Sequence, residues 1–256
     1  GEKDFLSSVL LDFKLSVTSL NTYLECPYKF KLNTLFRTPR AKDKSLCFGS
    51  AVHRGLEMFL RKFKEEGILP PTQYLIDQFE GALAKEILTP EDYKDVINNG
   101  RKILKAYVDF YKSELVKPLF TEKFFGYGFS SVYLDDIPLT GKVDRIDPLN
   151  SENYPGIGRP VRVVDYKTGK PRTRNEIEGK TKKGDSGYKR QLVFYKLLAD
   201  LDRAFNFEVV EAELDFVEGR EGNFIKHSFV ITKEEVDELK KIIKDTMGKI
   251  RKLIFP

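Results

Sequence analysis

The chain has 256 residues, 41% of them apolar, which is enough for one substantial core and excludes a need for disulfide staples. Its 44 basic and 39 acidic residues run through the whole length and leave a net charge of +5, a balance that leans only slightly towards nucleic acid and selects no partner by itself. Cys26 and Cys47 stand alone, without CxxC or metal-ligand spacing, and no apolar run could span a bilayer, so a disulfide framework and a membrane protein are both excluded from the expectation.

In chain order, Ser16-Val17-Thr18-Ser19-Leu20 offers hydroxyl N-caps and predicts helix over 16–36, interrupted at Cys26-Pro27. A second helix is predicted over 48–64, where Val52, Leu56, Phe59, Leu60 and Phe63 recur at helical spacing. Pro70-Pro71 breaks that pattern, and further helices follow over 73–88 and 91–113. Near Pro118 the character changes. Strands are predicted over 119–129, 131–134, 139–146 and 161–166, with an Asn-, Gly- and Pro-rich connection over 149–160. Residues 171–187 read as a basic, mobile loop, 188–201 as helix, 208–217 and 223–231 as strands, and 232–253 as a closing helix opened by a Thr232/Glu235 capping box. The expected fold is α/β or α+β: one domain over 1–256, mostly helical over 1–117 and a mixed sheet flanked by helices over 118–256. The chain begins at Gly1 without Met and stops at Phe255-Pro256, so a piece of a longer protein is expected, and the cysteine usage and lack of a signal peptide point to the cytoplasm.

Two strands carry acids at their ends. Val161-Arg162-Val163-Val164-Asp165-Tyr166-Lys167 ends in Asp-x-Lys, and Gly141-Lys142-Val143-Asp144-Arg145-Ile146-Asp147 precedes it by 21 residues. If the two ends meet, Asp144 and Asp165 hold a hard divalent cation, which prefers carboxylate, carbonyl and water oxygens. The Tyr166 carbonyl is a further candidate ligand. Lys167 shares a strand face with Asp165 and suits a phosphodiester-cleaving centre, where an ammonium can orient water or stabilise developing charge. His53 and Glu57 lie one helical turn apart on one face, as do Gln191 and Tyr195. Read alone, His53 is more often a core histidine than a ligand, and His227 reads as structural.

Together these pieces resemble a known family. The segment from Leu15 to Phe30, with Asn21-Thr22-Tyr23-Leu24-Glu25-Cys26-Pro27-Tyr28 at its centre, is similar to the opening of RecB-type nucleases of the PD-(D/E)xK superfamily. Gly49-Ser50-Ala51-Val52-His53 resembles their first motif, Gly141 to Asp147 the second, Val164-Asp165-Tyr166-Lys167 the third, and Gln191-Leu192-Val193-Phe194-Tyr195 the Q-x-x-x-Y helix. The opening is most similar to the nuclease domain appended to UvrD/PcrA-like superfamily 1 helicases. The resemblance implies a restriction-endonuclease-like core. His53, Asp144 and Asp165 would ligate Mg²⁺ or Mn²⁺, Lys167 would be the catalytic lysine, and Gln191 and Tyr195 would complete the site. Glu122 would stand where relatives often carry another acid, and Glu57 would be accessory.

By the same resemblance, the chain would be a deoxyribonuclease of DNA repair or recombination, acting on single strands beside the helicase module of its parent protein. Arg172, Arg174, Lys180, Lys182, Lys183 and Arg190, in and beside the basic loop, would contact phosphates. Many relatives bind an iron–sulfur cluster through one early and three late cysteines. Cys26 stands near the early position and no late group follows, so no cluster is expected in this chain. A nuclease-like domain that only binds DNA or a partner, and a CRISPR-associated exonuclease of the same clan, are the alternatives.

Overall fold

The computed structural model describes residues 1–128, 130–150, 158–182, 186–220 and 223–255. The helices are α1 (Glu2–Leu11), α2 (Val17–Glu25), α3 (Pro27–Phe30), α4 (Lys44–Glu66), α5 (Thr72–Leu83), α6 (Pro90–Tyr111), α7 (Arg174–Ile177), α8 (Gly187–Leu201) and α9 (Lys233–Arg251). The strands are β1 (Phe120–Phe125), β2 (Val132–Leu134), β3 (Ile137–Leu139), β4 (Gly141–Pro148), β5 (Arg159–Lys167), β6 (Phe207–Arg220) and β7 (Asn223–Phe229).

Caps decide where the helices begin. Ser16 accepts a hydrogen bond from the Ser19 N–H and opens α2. That helix ends where Pro27 offers no N–H, and Cys26 Sγ then caps α3 by accepting from the Lys29 N–H, so the predicted 16–36 helix is three pieces, the last a π turn over Lys31–Leu35. Asp43 accepts from the Leu46 N–H and starts α4 four residues before the expected onset. Thr89 and Pro90 open α6, and the Thr232/Glu235 capping box opens α9 as expected. Helix α1 lies where no helix was expected: only Leu6 along it is buried, which leaves little periodicity to read.

The five-stranded sheet runs in the order β1-β4-β5-β6-β7, antiparallel except for the central β5–β6 pair. Parallel neighbours need a crossover, and α7 and α8 form it. Central β5 is apolar on both faces, as a strand covered on both sides must be. Val161 and Val163 pack with α2, α8 and α9, whereas Val164 and Tyr166 pack with α4, α5 and α6. The sheet is thus the middle of three layers, which confirms the expected fold class. Helices α5 and α6 meet closely enough that a Cβ on Gly100 would lie 2.2 Å from the Phe79 ring, so the crossing requires glycine there.

Strands β2 and β3 form a separate hairpin, and the expected 139–146 strand is split at Thr140. The split has a reason: Thr140 donates its N–H to the Leu15 carbonyl, drawing the chain between β3 and β4 onto the segment before α2. Strand β1 stops at Phe125 because Gly126 turns with φ 70°, and a side chain there would strike the Leu139 carbonyl. Part of the expected basic loop is ordered instead. Thr173 and Glu176 cap one another and fold 174–177 into α7, a T-x-x-E signal that the composition of the segment obscures.

Candidate active site

The sheet registers bring the acids into one row. Thr121 pairs with Arg145 and Lys123 with Val143, which sets Glu122 opposite Asp144 across the β1–β4 ladder. Arg145 pairs with Val164 on the other side, and one further step sets Asp144 beside Asp165. Directly opposed residues share a face, so three neighbouring strands point carboxylates at one place. The β4–β5 ladder ends at Arg145–Val164, and the Tyr166 N–H beyond it donates to Asp144 Oδ2 at 2.8 Å. A side chain thus replaces a ladder partner, which fixes the carboxylate. Glu122 holds an unusual backbone for its type, φ 52°.

Helix α4 brings His53 over this row, its Nδ1 3.3 Å from Asp144 Oδ1. One ligand atom each from His53, Glu122 and Asp144 lies within 4.8 Å of the others, the span of a single coordination sphere. Among the described residues this is the one such trio. Asp165 completes the row and takes different partners. Its Oδ1 accepts from Gln191 Nε2 at 2.8 Å and from the Tyr195 hydroxyl at 2.7 Å, while Lys167 Nζ stands 2.5 Å from Oδ2. Gln191 also donates to the Tyr195 oxygen and accepts from Lys167 Nζ, both at 2.7 Å. All these groups line one cavity of about 700 Å³.

One expected site residue contributes differently. Glu57 lines the same cavity but is paired with Arg54 and Arg61 on its own helix, so it stands beside the trio and not within it. The Tyr166 side chain points to the opposite face, where its oxygen accepts from Arg145. Of the basic residues, Arg172 stacks on Tyr188 at the cavity rim. Arg174 lies over Phe229 and bonds the Ser228 carbonyl and Glu178, Lys180 pairs with Glu178, and Arg190 joins Asn21 to Ser186. Lys182 is exposed, and Lys183 lies outside the described residues. His227 bonds the Arg172 carbonyl at 2.9 Å, in keeping with a structural role.

Sequence reading missed Tyr188. Its ring centroid lies 4.4 Å from Lys167 Nζ and 4.5 Å from the Arg172 guanidinium, so it binds two cations. The available signal was spacing: Tyr188, Gln191 and Tyr195 recur at i, i+3 and i+7 on one face of α8.

Electrostatics separates the acids. Burial works against ionising Asp144, yet His53, the Tyr166 N–H and Lys167 outweigh it and hold the carboxyl below its ordinary range. Burial dominates at Asp165, which sits above the ordinary range with the neighbouring Asp144 charge adding to the effect and Lys167 opposing it. Glu122 is likewise raised by burial, against the pull of its partner Lys142. Burial disfavours a charged His53, but Asp144 and then Asp165 and Glu122 overcome it. The donor set fits a hard divalent cation: one imidazole, clustered carboxylates, and a buried Asp165 Oδ2 that accepts no well-directed hydrogen bond.

A mixed sheet between helical layers, with an acidic row and an Asp-x-Lys strand end at its edge, is the frame of a phosphodiester-cleaving nuclease. The chain belongs to the PD-(D/E)XK nuclease superfamily, whose model matches residues 14–256. It is similar to one component of the ATP-dependent helicase/deoxyribonuclease of Clostridium acetobutylicum, 28% identical over 181 residues that make up 61% of this chain and 15% of that protein. An uncharacterized protein of Rickettsia bellii is 26% identical over 204 residues, 75% of this chain and 22% of its own length. The chain thus spans under a quarter of each of these two relatives. A solved protein of Eubacterium rectale assigned as an exonuclease has the same fold, with a TM-score of 0.50 at 12% identity, covering 93% of this chain and 81% of that one. Members of the superfamily generally use divalent metals and act on DNA. No helix among the described residues is long and apolar enough to cross a membrane.

Proposed function

We propose that this chain is a divalent-metal-dependent deoxyribonuclease, the nuclease part of a helicase-associated protein that works in DNA repair or recombination. One observation carries the reading: His53, Glu122 and Asp144 converge within 4.8 Å beside the Asp165–Lys167 pair. His53, Asp144, Asp165 and the Tyr166 carbonyl would hold Mg²⁺ or Mn²⁺, with Glu122 as a further ligand. A divalent cation bound there would supply Lewis-acid polarisation of the phosphate and a more acidic water.

The chain's own residues do the rest. Lys167, steered by Asp165, Gln191 and the Tyr188 face, gives its ammonium to the attacking water or to the charge that builds on phosphorus-bound oxygens. Gln191 and Tyr195 hold Asp165 in one rotamer, so the lysine finds its partner already in place. Arg172, Lys180, Lys182 and Lys183 take flanking phosphates of a single strand, while Arg174 and Arg190 serve the fold through the contacts described above. The likeness to a component of a helicase/deoxyribonuclease supports a helicase module as partner.

The test is digestion of labelled single- and double-stranded DNA with Mg²⁺ and with Mn²⁺, alongside calorimetry of Mn²⁺ binding. Cleavage that EDTA stops, faster on single strands, is the expected result. Absence of cleavage with both metals rejects the nuclease reading; carboxylate-dependent Mn²⁺ binding that vanishes in Asp144→Asn distinguishes an intact centre from one that only binds DNA.

Tyr188 offers a finer check. Replacing it with leucine removes the π face under Lys167 and should lower kcat about ten-fold, a cation–π contribution of about 1–2 kcal/mol, with KM little changed. Tyr188→Phe keeps the face and should retain the rate. Equal losses in both variants would show that the hydroxyl, and not the ring, matters.

A further inference from the structure

The cavity over the acidic row continues in both directions. On one side it shares Ser16 and Thr18 with a groove of about 570 Å³ beside the segment before α2. On the other it shares Ser45, Thr168 and Gly169 with a groove of about 670 Å³ between α4, α6 and the turn after β5. Three contiguous cavities therefore form one trough, and the acidic row lies in the middle one rather than at a closed end.

The two arms carry the chemistry of a strand with exposed bases. In the first arm, Lys14 and Arg37 supply cations, and Arg37 has no ion pair among the described residues. Tyr127 is 73% exposed and leans on Phe124, itself 53% exposed, with ring centroids 6.1 Å apart. Of the two, Tyr127 lines the groove, and an exposed ring backed by a second is a platform for base stacking. In the second arm, consecutive Asn98 and Asn99 of α6 stand exposed over Phe48 and Val96, and Lys170 follows at the rim. Side-chain amides offer both donors and acceptors to base edges, and a strand held on both sides needs such contacts in both arms.

Resting on the nuclease reading above, we infer that a single DNA strand lies through the trough with nucleotides on both sides of the scissile phosphate, so that the chain cuts strands internally and needs no free end. A terminal-only enzyme would need a wall on one side of the reacting phosphate, and the lining here continues past it in both directions.

The experiment compares closed circular single-stranded DNA with the same DNA linearised, each with Mn²⁺. Circles and linear strands should be cut at similar initial rates. Degradation of linear strands beside intact circles overturns this inference alone; failure to cut either overturns the nuclease reading and this inference with it. Two double variants test the arms separately, with circular dichroism to confirm folding. Arg37→Ala with Tyr127→Ala, and Asn98→Ala with Asn99→Ala, should each raise KM for a long oligonucleotide about ten-fold and leave kcat within about two-fold. A KM effect confined to one arm overturns the two-sided track.

Discussion

Lys167→Ala is expected to lower the single-turnover cleavage rate about 10³-fold, the loss typical of removing a preorganised donor that acts on the transition state. The geometry favours this because the ammonium is not free to wander: Asp165 Oδ2 at 2.5 Å, Gln191 Oε1 at 2.7 Å and the Tyr188 ring at 4.4 Å hold it from three sides. Alanine removes the donor and leaves the acids standing, so Mn²⁺ binding by calorimetry and DNA binding by filter retention should remain close to wild type. Lys167→Arg should not restore the rate. A planar guanidinium cannot occupy the place of a compact ammonium between those partners. Cleavage by the alanine variant within about ten-fold of wild type would remove Lys167 from the mechanism.

The largest effect on stability is expected on the opposite face of the sheet. Arg145, 4% exposed, donates to Asp147 at 2.9 Å and to the Tyr166 hydroxyl at 2.6 Å. Close by, Asp215 is fully buried, accepts from Tyr107 at 2.6 Å and lies 3.6 Å from Lys226. Asp147 Oδ1 and Asp215 Oδ1 already lack hydrogen bonds, so the guanidinium is the main compensation of Asp147 and the second, after Lys226, of Asp215. Arg145→Leu strands Asp147 and leaves Asp215 to Lys226 and Tyr107 alone, and should cost about 3–5 kcal/mol at neutral pH, read as a shift of the denaturant midpoint.

The pH dependence has a definite sign. Burial raises Asp147 and Asp215 above their ordinary values in the folded state, opposed first by Arg145 at Asp147 and by Lys226 and then Arg145 at Asp215. An acid raised on folding binds its proton more tightly when native, so stability falls as pH rises from the unfolded carboxylate value through the folded one. Without Arg145 the folded values rise further. The difference between variant and wild type should therefore be greatest near neutrality and shrink as pH falls towards the ordinary carboxylate range. A difference that grows on acidification would contradict the assignment of Arg145 as the compensating charge.

The parts of this protein that were readable from sequence are those governed by local rules. Thr232 and Glu235 announced α9, the spacing of Val52, Leu56 and Phe59 announced α4, and the β-branched run before Asp165 announced the central strand. The strand ends bearing Asp144 and Asp165 could be named, but not their neighbourhood, because register is set between strands. Glu122 joins the trio only because Thr121 and Lys123 pair with Arg145 and Val143, a fact that resides in no single segment. Tyr188 escaped for a similar reason: its partners Lys167 and Arg172 are separated from it by the turn after β5 and by α7. The charged layer beneath Tyr166 was invisible too, since Arg145 and Asp147 read as ordinary strand polarity until the helical layer bearing Tyr107 covers that face of the sheet.

The position of His53 has a thermodynamic corollary. The imidazole rides on α4 while the carboxylates nearest it sit on β1 and β4, so one ion gripped by all three would rivet the helical layer to the sheet. By mass action, the melting point of such a fold climbs with the free concentration of that ion. Chelation would then loosen architecture as well as silence chemistry.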